Sequence, residues 1–233
     1  MNPEKIRVQN ISPKYLDIIT ALFAVILVTS NVASSAKIIN TGLSIFGIRL
    51  AFDGGTILFP LSYILGDIFT EVYGFRAARR AIWTGFACLL LSMIVFFIME
   101  ILPSDPVWES YAGSAAYRAI LGGMSSGGIV LASLTAYLAG EFSNAIILSR
   151  MKLFFKGRLL WVRTIGSSLA GELLDSLIFV GIATLTGIFG RELFLSLVLS
   201  NYLLKLGLEI ILTPVTCFSI RLLKKAEGID VYG

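Results

Sequence analysis

The 233-residue chain has no histidine, only two cysteines and only six prolines. Without imidazole, ordinary histidine acid–base chemistry and histidine-ligated metal centres are excluded. Cys88 and Cys217 both lie in apolar runs, so no disulfide or thiolate–metal framework is implied. Charge is scarce as well: 15% of residues are Asp, Glu, Lys or Arg, against about 25% in soluble domains. No long polar or low-complexity stretch divides the chain, so a single domain over 1–233 is expected. What fills the sequence instead is apolar: 56% of residues are hydrophobic and the mean hydropathy is +0.85.

A spanning helix needs about 20 mostly apolar residues. Six stretches qualify, at about 15–36, 56–73, 81–102, 119–148, 164–187 and 192–220. The first is too long for the apolar region of a cleaved signal peptide. The second is the weakest, because Asp67 and Glu71 interrupt it, and the Gly- and Ser-rich start of the fourth predicts a bend or re-entrant segment. The runs are continuous rather than alternating, which predicts an all-α bundle of six transmembrane helices and not a β-barrel.

The net charge of +4 does not signal a nucleic-acid partner, because the cations flank the spans. Fourteen of nineteen Lys and Arg fall on one side: Lys5, Arg7 and Lys14; Arg76, Arg79 and Arg80; Arg150, Lys152, Lys156, Arg158 and Arg163; Arg221, Lys224 and Lys225. The other side has Lys37, Arg49, Arg118 and Arg191. This bias predicts a multi-pass protein of the cell membrane with both ends cytoplasmic. Trp83 and Trp161 fall near the cytoplasmic boundary and Trp108 in an outer loop, as interfacial aromatics do.

Ionisable groups at membrane depth are costly and each needs a reason. Here they are Asp67, Glu71, Glu141, Glu172, Asp175, Lys205 and Glu209, with the amides Asn31 and Asn144. Three acids share a pattern of Gly, acid, two spacers and a polar group: Gly66-Asp67 to Thr70, Gly140-Glu141 to Asn144, and Gly171-Glu172 to Asp175. Residues three apart share a helix face, and the glycine lets a neighbouring helix or a flat ligand approach. Asp67 and Glu141 lie nine residues before Arg76 and Arg150, and Glu172 nine after Arg163. At about 1.5 Å per residue each acid sits roughly 13–14 Å inside the flank, near the middle of a core about 30 Å thick. The motif on antiparallel helices hints at an inverted repeat meeting at the midplane, where transporters place substrate. Interhelical hydrogen bonding alone is the competing account.

Other positions have simpler readings beside functional ones. Lys205 and Glu209, four apart, either neutralise each other or leave Lys205 to pair with Asp175 or Glu172. Glu71 is placed to pair with Arg76 or Arg80. Ser167, Ser168 and Gly171 form a small face suited to tight packing, and Asp53 before Gly54-Gly55 belongs to an outer turn.

Convergent carboxylates and amides suit a small polar ligand rich in N–H donors. An ionised carboxylate accepts two parallel N–H groups, such as those of a guanine-like edge. Phe69, Phe142 and Tyr63 are candidates to sandwich a flat ring. No cofactor is called for. An all-oxygen cation site stays open, but no phosphate-binding Gly-rich Lys-Ser/Thr motif appears, so the chain is not expected to use ATP itself. Nor is an enzyme expected, since no nucleophile–base unit can be identified.

Several stretches together carry a resemblance: Ser30-Asn31, Pro60-Leu61-Ser62-Tyr63, Asp67-Ile68-Phe69-Thr70-Glu71-Val72-Tyr73-Gly74, Ala78-Arg79-Arg80, Gly140 to Asn144, and Arg163-Thr164-Ile165-Gly166-Ser167-Ser168 through Gly171, Asp175 and Ser176. The chain resembles the queuosine precursor transporter family, also called the vitamin uptake transporter family. The resemblance implies membrane import of 7-cyano- or 7-aminomethyl-7-deazaguanine for salvage into tRNA modification. It implies a substrate site among Asn31, Asp67, Glu71, Glu141, Asn144, Glu172, Asp175 and Lys205, with Asp67 and Asp175 the firmest carry-overs. It also implies that amides can replace Glu141 and Glu172, where hydrogen bonding then counts for more than charge. Expected partners are the small-molecule 7-deazaguanine and the bilayer, with no nucleic acid, and a bundle this small is compatible with a homodimer. The alternative is a substrate-binding subunit of an ATP-driven vitamin-type uptake complex.

Overall fold

A computed structural model describes residues 13–45 and 48–231; Lys5 and Arg7 of the basic flank lie outside them. The bundle is all-α. Its helices are α1 (Leu16–Ala36), α2 (Phe59–Ile68), α3 (Phe75–Ile101), α4 (Pro106–Tyr111), α5 (Gly113–Ser125), α6 (Gly127–Phe154), α7 (Leu160–Leu185) and α8 (Phe194–Glu227). Five stretches are long and apolar enough to cross a membrane: α1, α3, α5 with α6, α7 and α8. All of them expose large apolar side chains such as Leu22, Val95, Leu131, Leu177 and Ile211, the surface that lipid rather than water would cover.

The weakest sequence span behaves differently. α2 runs straight into a π-helical turn, Phe69–Tyr73, which ends where Gly74 takes φ +83°. Together they make a fifteen-residue element, buried over most of α2 and all of the turn. At about 1.5 Å per residue this element is roughly 22 Å long, short of a full hydrocarbon core. Protein rather than lipid surrounds it, which is why it tolerates Asp67 and Glu71 where a lipid-facing span would not.

The predicted break in the fourth span is real. Ser126 adopts an extended conformation (φ −66°, ψ 115°) between α5 and α6. The helices also outrun the apolar stretches, α8 extending to Glu227 and α6 to Phe154. Between α1 and α2 the chain forms an antiparallel ribbon that the apolar runs do not announce, β1 (Ile38–Ile45) with β2 (Ile48–Asp53). Its register pairs Ile38 with Asp53 and Ile45 with Ile48, with an irregularity between Asn40 and Ser44. Isoleucine-rich segments favour strands once outside a helix. Asp53 ends β2 at the 3-10 turn Gly54–Ile57, the turn expected there.

The two ends of the chain meet. The Glu227 carboxylate accepts the Lys14 and Tyr15 backbone N–H groups, each at 2.9 Å, and the Tyr73 hydroxyl at 2.6 Å. It thereby caps α1, whose first N–H groups have no partner within the helix. We call this the basic end, since Lys152, Arg163 and Lys224 gather there too.

Candidate functional site

Three glycines bring the acid-bearing helices into contact. A Cβ at Gly171 would lie 2.9 Å from the Gly140 carbonyl oxygen and 3.0 Å from the Asn144 Cβ. One at Gly140 would meet Asp175 Cβ at 2.9 Å, and one at Gly66 would meet Glu141 Oε2 at 3.0 Å. The glycines of the repeated motif therefore seat α2, α6 and α7 against one another at one level, and the acids beside them converge.

At that level Asp67 is fully buried and its Oδ1 accepts the Asn144 Nδ2 N–H at 3.0 Å. Among the described residues its Oδ2 has no partner, nor do Asn144 Oδ1, Glu172 Oε2, Glu209 Oε2, or the hydroxyls of Ser62 and Ser176. Glu141 and Glu172 are 4% and 1% exposed. Buried polar groups are normally satisfied; these atoms on α2, α6, α7 and α8 are exceptions among the described residues. Tyr63 lies among them, its hydroxyl 3.4 Å from where a Gly140 Cβ would stand.

Asp175 and Lys205 form an ion pair at 2.5 Å, with side chains 15% and 11% exposed. Lys205 thus bonds Asp175 across to α7 and is not consumed by Glu209 on its own helix. Its Nζ also sits 4.5 Å from the centre of the Phe59 ring at the start of α2. This pair is the most exposed part of the group and lies on its side away from the basic end.

Glu71 sits elsewhere. Its carboxylate, completely buried, bonds Arg163 through Oε1 and Lys224 through Oε2 at 3.1 Å, with Lys152 at 3.9 Å. Lys152 donates to the Glu71 carbonyl at 2.7 Å, to Asp230 Oδ1 at 2.6 Å and to the Val231 carbonyl at 2.7 Å. The expected partners Arg76 and Arg80 are exposed instead, because Gly74 turns the chain and starts α3 in a new direction. The network seals the basic end below Asp67. Asp230 is partly buried, which opposes its ionisation, but bonds from Lys152 and Lys224 prevail and hold its carboxyl below the ordinary range.

Two of the three aromatic candidates are engaged away from the acids. Phe69 packs edge-on against Phe23 of α1, ring centres 5.6 Å apart, and Phe142 against Trp83 of α3 at 5.9 Å. Successive helical residues are about 100° apart, so Phe69, two after Asp67, points to the opposite side, whereas Tyr63, four before it, shares its face. Asn31 donates to the Leu27 carbonyl at 2.9 Å, within its own helix. The small face of α7 packs as expected at Gly171, yet Ser168 turns its hydroxyl to Glu209 Oε1 at 3.4 Å. Glu209 joins the group because Lys205 takes Asp175, one of the two pairings its spacing allows; Ser176, four after Glu172, shares that residue's face.

The sequence model of the family described as "Putative vitamin uptake transporter" matches residues 53–219. A "Probable queuosine precursor transporter" of Bacillus subtilis is 28% identical over 79% of this chain and 77% of its own length. One of Haemophilus influenzae is 25% identical over 68% and 63%. The "Queuosine precursor transporter" of Escherichia coli is 23% identical over 82% and 80%. No solved structure matches the chain. With the family's pattern running from the end of β2 to within α8, the chain belongs to the vitamin uptake transporter family and is a multi-pass protein of the cell membrane.

Proposed function

We propose that the protein imports a 7-deazaguanine precursor of queuosine, 7-cyano- or 7-aminomethyl-7-deazaguanine, binding it at the central carboxyl–amide group. One observation carries this reading: Asp67 Oδ2, Asn144 Oδ1 and Glu172 Oε2 are buried and unpartnered on three helices that meet at one level. A guanine-like edge offers ring and exocyclic N–H groups, and these three oxygens are acceptors for them. Asp67, Glu141, Asn144, Glu172 and Asp175 are assigned to the substrate, with Lys205 holding Asp175 in place. Tyr63 supplies the ring face. Glu71 is assigned to the seal at the basic end, and Asn31 on α1 is a more distant contributor. The names of the three relatives support the substrate class.

The site is shut in this conformation, so a ligand enters only if helices part, as alternating access requires. Six crossings are assigned, the buried α2 with its π-turn completing the five long ones. The meeting of Glu227 with Lys14 and Tyr15 favours an even number, and the cation bias puts that end in the cytoplasm.

The test is calorimetric binding of 7-cyano-7-deazaguanine to the purified chain, with guanine and riboflavin as comparators. Binding of the deazaguanine alone, lost in Asp67→Ala and Asp175→Ala, is expected. Undiminished binding in those variants, or none by folded wild type, would overturn the assignment.

A further inference from the structure

Among the described residues the central group sets five acids, Asp67, Glu141, Glu172, Asp175 and Glu209, against Lys205. Among the described residues no ion pair involves Asp67, Glu141, Glu172 or Glu209, and Lys205 is engaged by Asp175. All four acids are at most 4% exposed. An isolated carboxylate in such a medium is too costly to persist, and the ordinary remedy is a proton. The acids are not merely clustered: the Asn144 amide oxygen and the Ser62 and Ser176 hydroxyls on the same helices, each at least 98% buried, have no hydrogen-bond partner among the described residues.

Glu209 stands apart from the other three because the substrate assignment does not use it. Its Oε1 accepts the Ser168 hydroxyl of α7 at 3.4 Å, and it lies within electrostatic reach of Asp67 and Tyr63 on α2, Glu141 on α6 and Glu172 on α7. Asp175 and Lys205 lie at the more exposed side, while Glu71 and Arg163 lie toward the basic end, bonded to each other, with Cys217 near Asp67. A charge on Asp67 is offset by the ligand N–H groups that it accepts. A second charge on Glu209 would repel it, whereas a proton there removes that repulsion and costs the ligand nothing.

Resting on the substrate site proposed above, we infer that Glu209 is the proton site of a proton-coupled uptake cycle, filled before Asp67 grips the ligand and emptied when the site opens to the cytoplasm. The proton comes from outside water, moves inward on the Glu209 carboxyl and leaves to cytoplasmic water. The carboxylate is regenerated unchanged, so no further reactant is needed.

The experiment uses the full chain in proteoliposomes, with 7-cyano-7-deazaguanine as the probe, an internal pH dye, and the membrane potential clamped at zero by potassium and valinomycin. One pH unit, acid outside, should drive about tenfold accumulation for one proton per substrate, with matching internal acidification. Glu209→Gln should lose both accumulation and proton influx. Wild-type uptake that only equalises the two sides, without proton entry, overturns the coupling. Accumulation retained in Glu209→Gln overturns the residue. Exchange of labelled for unlabelled ligand at equal pH reads the substrate site alone. Its presence without coupling sinks only the proton inference, and its absence in folded protein sinks both.

Discussion

Gly140 and Gly171 show how one missing methyl group places a site. Each stands where a Cβ would come within about 3 Å of the facing helix, so Gly171→Ala must push α6 from α7. Overpacking of this kind costs about 1–3 kcal/mol. We expect a lower thermal midpoint in detergent and weaker deazaguanine binding. Gly181→Ala on the same helix, with nothing within 4 Å of its added carbon, should change neither. Equal melting of the two variants would show that the close approach does not hold the helices. Arg163 makes a second residue-scale case. Its guanidinium is 1% exposed and bonds a completely buried Glu71. Arg163→Met leaves that carboxylate short of a partner, and breaking a buried pair costs about 3–5 kcal/mol. Most of the folded yield should be lost in size-exclusion profiles, and recovered in part by Glu71→Gln in the same chain.

At the scale of elements, the segment after α8 is held by charge. Asp230 bonds Lys152 and Lys224 at 2.6 and 2.9 Å, and the Val231 N–H reaches the Val72 carbonyl at 3.3 Å. The Asp230 carboxyl is held below its ordinary value in the folded state. Its contribution is therefore complete above the ordinary aspartate range and lost as pH falls through the lowered value. Protection of the Val231 amide, taken against its intrinsic exchange at each pH, should be high at neutral pH and fall under acid, and Asp230→Ala should lower it at neutral pH. Exchange that is slow in the variant would mean that Asp230 does not hold the segment. The helices themselves were largely legible from apolar run length. The α2–π element was not fully so, because hydropathy asks whether lipid accepts a segment, and this one is accepted by protein. The ribbon leaves no such mark, because its strands are short and not set apart by a long apolar run.

For the whole molecule, the decisive question is how often the chain crosses. Five long helices alone would leave its ends on opposite faces, yet Glu227 caps α1. Thiol labelling separates the cases in a chain with Cys88 and Cys217 replaced. Arg79→Cys should react with an impermeant reagent only in permeabilised cells, and Ser110→Cys in intact ones. The reverse pattern would invert the assigned orientation. The same view explains why the most exposed part of the central group is the Asp175–Lys205 pair. The basic end is closed by Glu71 and its three cations, while the opposite side lacks such a network among the described residues.

The sequence by itself determined the membrane class, the long helices, the basic end and the common level of the three motif acids. These follow from composition and from spacing within one helix, where distance is set by the rise per residue. It also pointed to the motif glycines as places of close approach. Only the tertiary structure decided which cation meets which acid. Lys205 could have met Glu209 on its own helix or an acid on α7, and Glu71 could have met Arg76. Those choices depend on how each helix is rotated against its neighbours and on where Gly74 turns the chain, which no spacing within a helix encodes. The same packing leaves Glu209 buried with no ion pair among the described residues.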